Sequence, residues 1–254
     1  MSLSILSYNC HLFGNFFIYQ YLDLYYYDEI RCNKIIFNLL NSDLDIICLQ
    51  EVWSDKLLSF IISKMKNKYF FFRPNVNCGL IIFSKYKITL SYFKKFKNSE
   101  FPDSLVSKGF GMITILFQNK YIDIYFTHTQ AIYSNKLNKI AIKNLHEIYN
   151  RVKKSKNKRI ICGDLNINMN IVKNIFKNFN FSNINNSCSI SNTLFSKFQK
   201  DCCEGKLDYI LFDNSFQLEE SLCCYNIRTN NNNLIFKINN IDCSDHYPLY
   251  SKFK

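Results

Sequence analysis

The chain has very little proline or glycine and no long apolar run. Only 3 Pro and 6 Gly occur among 254 residues, which excludes collagen-like and proline-rich chains. No apolar stretch reaches the roughly 18 residues of a membrane span, and the first residues lack the basic and apolar regions of a secretory signal. We therefore expect no signal peptide and no transmembrane helix. The expected location is cytoplasmic and peripheral to membranes.

Cysteine is plentiful, but the spacings that bind zinc are missing. There are 11 Cys, an odd number, and no two are separated by the two residues of a C-x-x-C pair. The adjacent pairs Cys202-Cys203 and Cys223-Cys224 make poor chelators. We expect reduced thiols rather than a disulfide framework or a zinc site.

Acidic residues are outnumbered by basic ones, 20 against 32, which gives a formal net charge of +12. Such a balance favours a polyanionic partner, either a nucleic acid, a phosphorylated substrate or an anionic membrane. Heavy use of Lys, Asn and Ile, as in a protein from an AT-rich genome, would produce the same charge without a functional cause. Apolar residues make up 48% of the chain and aromatic ones 17%, enough to fill a folded core.

Short apolar runs alternate with helical patterns along the chain. Helices are predicted at 27–41, 54–66, 135–154 and near 171–178, with Ile30, Lys34, Phe37 and Leu40 facing the core in the first and Leu137, Ile140, Ala141, Leu145, Ile148 and Val152 in the third. Strands are predicted at 3–8, 45–49, 80–83, 110–117, 121–127, 159–162, 207–212 and 248–253, with a hairpin turn at 118–120. No repeat or linker divides the chain. We expect one α/β domain over residues 1–254, with mixed strand order and helices on its outer faces.

Polar side chains of a few types recur at the boundaries of the predicted strands. Each one alone has a structural explanation as a turn residue, a helix cap or a buried core residue. Their recurrence at six boundaries indicates a site, because strand ends present catalytic groups from a rigid scaffold. The candidates are Asn9, Glu51, His128, Asp164, Asn166, Asp208, Asp245 and His246.

These residue types suit one chemistry. Carboxylate and amide oxygens bind a hard divalent cation such as Mg²⁺, or Mn²⁺ in its place. A histidine beside a buried carboxylate is a general base near neutral pH, and a second histidine with an amide can stabilise charge on a phosphoryl oxygen. The set therefore predicts a metal-assisted hydrolase of phosphate esters.

The ordered motifs resemble those of the endonuclease/exonuclease/phosphatase superfamily over nearly the whole chain. They are Tyr8-Asn9, Gln50-Glu51, Thr127-His128, Gly163-Asp164-Leu165-Asn166, Leu207-Asp208-Tyr209 and Ser244-Asp245-His246. The resemblance implies a four-layered sandwich in which two mixed β-sheets pack face to face with helices on both outer faces. It also implies a Mg²⁺-dependent hydrolase.

Within the superfamily, four stretches resemble the neutral sphingomyelinases. They are Leu49–Ser54, Gly79–Lys85, Ser107–Phe110 and Thr127–Ala131. The Pro-Ala-Trp-Cys-Asp-Arg segment of inositol polyphosphate 5-phosphatases is absent. Thr129 departs from the leucine that neutral sphingomyelinases have after this histidine. This resemblance implies cleavage of sphingomyelin, a phospholipid at a membrane surface, to ceramide and phosphocholine.

The resemblance also suggests a role for each candidate. Glu51 would be the principal metal ligand, with Asn9 as a second ligand or as the group that orients it. His246 would activate water beside Asp245, Asp208 would orient the imidazole, and Asp164 would position the water. Asn166 and His128 would donate to the non-bridging oxygens, with Lys108 nearby.

Alternative functions remain open at this stage. They are a DNA nuclease or AP endonuclease of the same superfamily, an inositol-phosphate or lipid phosphatase, and an inactive binding module. The net charge favours nucleic acid, whereas the aromatic segments 12–19 and 93–101 suit a lipid–water interface. We expect a monomer.

Overall fold

Two six-stranded sheets form the centre of the computed structural model, which describes residues 2–14, 24–132, 134–182, 206–223, 226–228, 232–239 and 241–254. The helices there are α1 (Leu24–Leu40), α2 (Asp55–Met65), α3 (Asn135–Val152) and α4 (Met169–Ile175). The strands are β1 (Leu3–Leu12), β2 (Ile46–Val52), β3 (Phe70–Phe72), β4 (Ile81–Ser84), β5 (Ile88–Lys95), β6 (Gly109–Phe117), β7 (Lys120–His128), β8 (Lys158–Asp164), β9 (Asn180–Phe181), β10 (Asp208–Phe212), β11 (Leu218–Cys223), β12 (Asn226–Arg228), β13 (Asn233–Ile235), β14 (Lys237–Ile238), β15 (Ile241–Asp242) and β16 (Leu249–Phe253).

Both large sheets mix parallel and antiparallel strands. The first has the order β11-β16-β1-β2-β4-β3 and the second β5-β6-β7-β8-β10-β9. Only β1 with β2 and β7 with β8 pair in parallel within these sheets. The strands β12 with β13 and β14 with β15 form two small hairpins.

Three apolar clusters separate the layers. The central cluster lies between the sheets and joins residues such as Ile5 and Cys48 of the first to Ile124 and Ile160 of the second. A second cluster lies between the first sheet and helices α1 and α2, and a third between the second sheet and helices α3 and α4. The predicted sandwich, with sheets face to face and helices on both outer faces, is confirmed.

The strand β1 shows why the central strands read as nearly continuous apolar runs. Its Ile5 faces the other sheet, whereas Leu6 and Tyr8 face the helices. Because both faces of such a strand are covered, apolar side chains occur on both of its faces, with few polar residues between them. This pattern made the central strands visible in the sequence.

The predicted hairpin at 118–120 is present between β6 and β7. Gln118 and Asn119 have φ values of 49° and 59°, as the two central residues of a type I′ turn require. Phe117 and Lys120 form the last pair of the ladder. The turn fixes the register that places His128 at the far end of β7.

The buried face of α1 differs from the predicted one. Phe37 is 61% exposed, and the residues that pack on the sheet are Cys32, Ile35, Ile36 and Leu39. This segment has two apolar stripes with helical spacing. The stripe that packs against the sheet is the one that contains Ile35 and Leu39, which is not the predicted one. In α3 the predicted stripe is confirmed, since all six of its residues are buried.

The strands with partly exposed faces were not predicted from the sequence. β5, β11 and the short strands β3 and β9 lie at the edges of the sheets, and their side chains are largely intermediate or exposed. Without cover on both faces they need no continuous apolar run. The predicted helix near 171–178 is shifted to 169–175, because Asn168 caps its first turn.

The cysteines that the structure describes are free thiols: Cys10, Cys32, Cys48, Cys78, Cys162, Cys223 and Cys243. Cys202-Cys203, Cys224 and most of the aromatic segment 12–19 lie outside the described residues. No helix in the described ranges is long and apolar enough to cross a membrane.

Gly163 provides a test of how closely the second sheet is packed. Its φ is 141°, and an added Cβ would lie 2.0 Å from the carbonyl oxygen of Thr127 on the neighbouring strand. We expect Gly163→Ala to lower the free energy of unfolding by about 2 kcal/mol or more, because the backbone must move. Ile161→Val on the same strand is the control and should cost about 1 kcal/mol. Denaturant unfolding followed by circular dichroism gives both values, and equal losses would contradict the argument.

Candidate active site

The predicted site residues meet at one edge shared by the two sheets. The parallel strands β1 and β2 both end there, and so do β7 and β8. β10 and β16 run antiparallel to their neighbours and begin at the same edge. The register aligns His128, Asp164 and Asp208 side by side across three adjacent strands.

Asp164 lies at the centre of the arrangement and is 1% exposed. Its Oδ1 accepts a hydrogen bond from the backbone N–H of Asn166 at 2.9 Å. Its Oδ2 lies 3.6 Å from Nε2 of His128 and 3.8 Å from Nε2 of His246. Burial and the nearby Asp208 carboxylate raise the pKa of Asp164 to about 7. A buried carboxylate beside another carboxylate favours the approach of a cation.

Asn9 connects the two sheets at this edge. Its Nδ2 donates to Oε1 of Glu51 at 3.0 Å and to Oδ2 of Asp164 at 3.1 Å. Its Oδ1 accepts from the backbone N–H of His11, and its carbonyl oxygen accepts from Oγ of Ser244 at 2.7 Å. In this arrangement the amide of Asn9 orients the carboxylate of Glu51.

The donor set fits a divalent metal ion. The ligand atoms of Glu51, His128 and Asp164 lie within 4.8 Å of one another. Oε2 of Glu51 is buried and has no hydrogen-bond partner among the described residues. A buried carboxylate oxygen without a partner is costly, and coordination by Mg²⁺ would satisfy it. Glu51 also adopts a left-handed backbone conformation, with φ 55°, which is uncommon for this residue type.

His246 and Asp208 form the closest pair of ionisable groups in the site. Nδ1 of His246 lies 2.7 Å from Oδ2 of Asp208, and both residues are buried. Burial alone would lower the pKa of His246. The negative charge and hydrogen bond of Asp208, with Asp245 and Asp164, outweigh it and raise that pKa well above its usual value. The pair leaves Nε2 of His246 directed to the side of Asp164.

His128 is held in its neutral form. Burial, the Lys108 ammonium group and His246 lower its pKa well below the usual value. Nζ of Lys108 donates to Nε2 of His128 at 3.0 Å and to the carbonyl oxygen of Thr129 at 2.9 Å. Lys108 is itself 3% exposed and is paired with Asp103 at 2.8 Å. A buried ammonium group therefore lies directly behind the site.

Two of the predicted residues stand at the margin of the cluster. The Asp245 carboxylate lies 3.8 Å from Nε2 of His11. The carboxylate that contacts the imidazole of His246 is that of Asp208. Burial would raise the pKa of Asp245, but the charges of His11, His246 and Arg31 keep it below its usual value. Asn166 has φ 50°, and its Nδ2 donates to the carbonyl oxygen of Thr129 at 3.2 Å.

Sequence reasoning missed Asp103, His11 and Arg31. The guanidinium of Arg31 donates to the carbonyl oxygens of Cys10, His11 and Cys243 and pairs with Asp28. It thereby fixes the end of β1 against the segment that leads into Ser244–His246. No local signal in the sequence marks this arginine as a support of the site, because the partners that connect it to the site are backbone carbonyl oxygens. Asp103 stands five residues before Lys108, a separation that alone suggests no pairing.

Comparisons with known proteins give the following matches. The model of the Endonuclease/Exonuclease/phosphatase family matches residues 6–246. Sphingomyelinase C from Streptomyces griseocarneus is 16% identical, with 99% of each chain covered and a TM-score of 0.77. A beta toxin variant from Staphylococcus aureus with bound magnesium ions is 20% identical, with 99% of each chain covered and a TM-score of 0.75.

A third similar structure is D. rerio TDP2 complexed with a single-strand DNA product. It is 14% identical, covers 100% of this chain and 99% of its own, and has a TM-score of 0.74. At these identities the likeness shows a shared fold. No curated protein sequence matches the chain. The superfamily resemblance seen in the motifs, and the likeness to sphingomyelinases, are confirmed.

Metal binding can be tested without measuring activity. We expect Mg²⁺ to raise the thermal unfolding midpoint, because it neutralises buried carboxylates only in the folded state. The stabilisation should reach about 2.7 kcal/mol at a hundredfold excess over Kd. Glu51→Gln should weaken Mg²⁺ binding in calorimetric titration without unfolding the protein. Glu29→Gln, which changes an exposed pair with Lys56, is the control, and equal Mg²⁺ affinity in both variants would contradict the assignment.

Proposed function

The chain belongs to the endonuclease/exonuclease/phosphatase family, and from that membership we propose that it is a Mg²⁺-dependent phosphodiesterase that hydrolyses sphingomyelin to ceramide and phosphocholine. One observation supports hydrolase activity above the others. Five side chains lie close together at one edge of the sheets: Glu51, His128, Asp164, Asp208 and His246. They combine a carboxylate-rich cation site with a histidine–carboxylate pair. We further propose that residues 1–254 form one catalytic domain that acts as a monomer.

The metal would be held by Glu51 and Asp164, with Asn9 orienting the Glu51 carboxylate. When bound, Mg²⁺, or Mn²⁺ in its place, supplies positive charge beside the phosphate and the leaving oxygen. The chain's own contribution is to hold the two carboxylates from opposite sheets at a fixed separation. The hydrogen bonds from Nδ2 of Asn9 to both carboxylates do this.

His246 would act as the general base in its neutral form. That form would be favoured when a cation bound beside Asp164 offsets part of the negative charge that raises the pKa of His246. Oδ2 of Asp208 accepts a hydrogen bond from Nδ1–H of His246, so that Nε2 is the nitrogen available to take a proton from water. As the imidazole becomes positively charged, the buried Asp208 carboxylate stabilises it. Asp164, 3.8 Å from Nε2, would hold the attacking water in line, and Asp245 would add negative charge beside the imidazole.

The developing charge on the phosphate would be met by donors on the other side of the edge. Asn166 uses one amide hydrogen on the Thr129 carbonyl, which leaves the second for a non-bridging oxygen. His128 is neutral and accepts from Lys108 on Nε2. A substrate oxygen here would accept a hydrogen bond either from the Lys108 ammonium group or from Nε2–H of His128, if the proton of that imidazole lies on Nε2.

Several observations support sphingomyelin as the substrate. The Ser107–Phe110 stretch, which resembles neutral sphingomyelinases, supplies the buried Lys108 at the site. Sphingomyelinase C from Streptomyces griseocarneus shares the fold over 99% of both chains. The partner would then be a phospholipid at a membrane surface, and the enzyme a peripheral protein of the cytoplasm.

A nuclease is the second candidate. It is supported by the net charge of +12 and by the shared fold with D. rerio TDP2, whose structure holds a single-strand DNA product. A phosphate backbone would be recognised mainly by exposed cations, so binding would weaken steeply with salt. The same catalytic residues would serve either substrate.

Replacement of the general base gives a direct test of the catalytic assignment. We expect His246→Ala to lower kcat by roughly 10²–10⁴-fold, the usual contribution of a general base. Asp208→Asn should cost less, because it only orients and charges the imidazole. His146→Ala, which changes an exposed histidine on α3, is the control. Near-normal turnover of His246→Ala would make His128 the candidate base.

The substrate is tested by a side-by-side assay. With Mg²⁺, we expect phosphocholine release from sphingomyelin vesicles and weak or no cleavage of plain or abasic DNA. EDTA should abolish the activity, and Mg²⁺ or Mn²⁺ should restore it. Robust DNA nicking without phosphocholine release would replace sphingomyelin by nucleic acid and leave the catalytic assignment intact.

A further inference from the structure

We propose that the connection between β5 and β6, residues 96–108, is a membrane-contact loop that inserts Phe101 and Leu105 into the head-group region of a bilayer containing anionic lipid. The inference deepens the proposed function, because a lipid substrate must be reached from a membrane surface. Its physical basis is separate from catalysis, and lipid binding can be measured without turnover.

The loop carries the two most exposed large apolar side chains of the described residues. Phe101 is 72% exposed and Leu105 is 67% exposed. Single exposed apolar residues are common on protein surfaces. Two such residues four positions apart on one short turn form a localised apolar protrusion, which is typical of a surface that contacts a partner or a membrane.

Hydrogen bonds hold this protrusion in a fixed shape. The backbone N–H of Ser104 donates to the carbonyl oxygen of Glu100 at 3.0 Å, and that of Leu105 donates to Pro102 at 3.1 Å. Ser107 N–H donates to the carbonyl oxygen of Asn77 at 2.8 Å, which ties the loop to the segment before β4. Because the turn is already ordered, its insertion into lipid would cost little conformational entropy.

The loop is joined directly to the catalytic edge. Oδ2 of Asp103 accepts from the backbone N–H of Ala131 at 2.7 Å and pairs with Lys108, which contacts His128. Glu100 N–H donates to Oε1 of Gln130 at 2.9 Å. Phe101 and Leu105 therefore project from the same short connection whose last residue, Lys108, reaches the site.

Basic residues flank the apolar pair and favour an anionic surface. Lys94, Lys95 and Lys97 precede Phe101 by at most seven positions. In the part of the chain that the structure describes, Lys95 and Lys97 have no ion pair, and Lys94 pairs with Glu147 at 3.3 Å. A cavity of about 270 Å³ beside α3 is lined by Lys94, Lys97, Glu147, Asn150, Arg151 and Lys154.

The combination of charge and apolar side chains distinguishes a bilayer from an apolar protein groove. Cations near the head groups are each attracted by about 1 kcal/mol to anionic lipid, while aromatic and aliphatic side chains enter the interface. An apolar protein groove with a neutral rim would gain nothing from Lys95 and Lys97, whereas an anionic lipid surface would attract both. We therefore assign the loop to a lipid surface.

The test uses vesicle sedimentation in EDTA, with vesicles that contain no sphingomyelin, so that turnover cannot occur. One set is phosphatidylcholine alone and the other contains roughly 30% phosphatidylglycerol. Phe101→Ala/Leu105→Ala should weaken binding to both sets by roughly tenfold or more. Phe37→Ala/Leu90→Ala is the matched control, because these side chains are 61% and 56% exposed on other elements, and it should bind as the wild type does.

Lys95→Gln/Lys97→Gln separates the electrostatic part. It should weaken binding to the phosphatidylglycerol vesicles by roughly fivefold per lysine and leave binding to phosphatidylcholine unchanged. Hydrolysis of a water-soluble phosphodiester should be the same in all three double variants, since none of the six substituted residues touches the site.

The inference is overturned if the wild type binds neither vesicle set, or if the loop and control variants bind alike. It is also overturned if Phe101→Ala/Leu105→Ala lowers turnover of the soluble ester as much as it lowers vesicle binding. Failure of the proposed function would look different, because wild type and variants alike would release no phosphocholine while their vesicle binding still differed.

Discussion

The contact of Asn9 with Glu51 and Asp164 is the interaction on which the rest of the site depends. Glu51 stands on the first sheet and Asp164 on the second, and the amide of Asn9 donates to both carboxylates. The central apolar cluster also holds the sheets together, and the hydrogen bond between His246 and Asp208 joins them at the same edge. These polar contacts fix which strand ends face each other. Arg31 stabilises the segments next to Asn9 by donating hydrogen bonds to three backbone carbonyl oxygens.

The same contact concentrates buried charge in a way that folding alone would not favour. Asp164 and Asp208 lie side by side on adjacent strands and are each 1% exposed. Like charges in such surroundings oppose ionisation, which is why the pKa of Asp164 is raised to about 7. His246 offsets part of this cost through Asp208. A divalent cation beside Glu51 would offset more, so the strain of the site is consistent with a metal-dependent hydrolase.

The catalytic edge and the surface around it have separate functions in our proposals. The edge would determine the reaction, because its carboxylates and histidines would act on any phosphoester that reaches them. The surrounding connections determine what reaches them. Two side-chain contacts, Asp103 with Lys108 and Lys108 with His128, join the surrounding connection to the edge. A loop bound to lipid through Phe101 and Leu105 would thus hold the catalytic edge at the membrane surface.

The amino-acid sequence by itself determined the central strands, the buried stripe of α3, the hairpin at 118–120 and the set of polar residues at strand ends. These are local properties, since strands covered on both faces are mostly apolar along their length and a type I′ turn requires residues that tolerate positive φ. The edge strands and the buried face of α1 were decided by packing. The contact of Asp208 with His246 agrees with the role that the resemblance suggested. Only the tertiary structure showed that Lys108 is buried against His128 and that Arg31 supports the site. Each of these is a contact between residues distant in the chain, and such contacts depend on how two sheets meet, which no local pattern encodes.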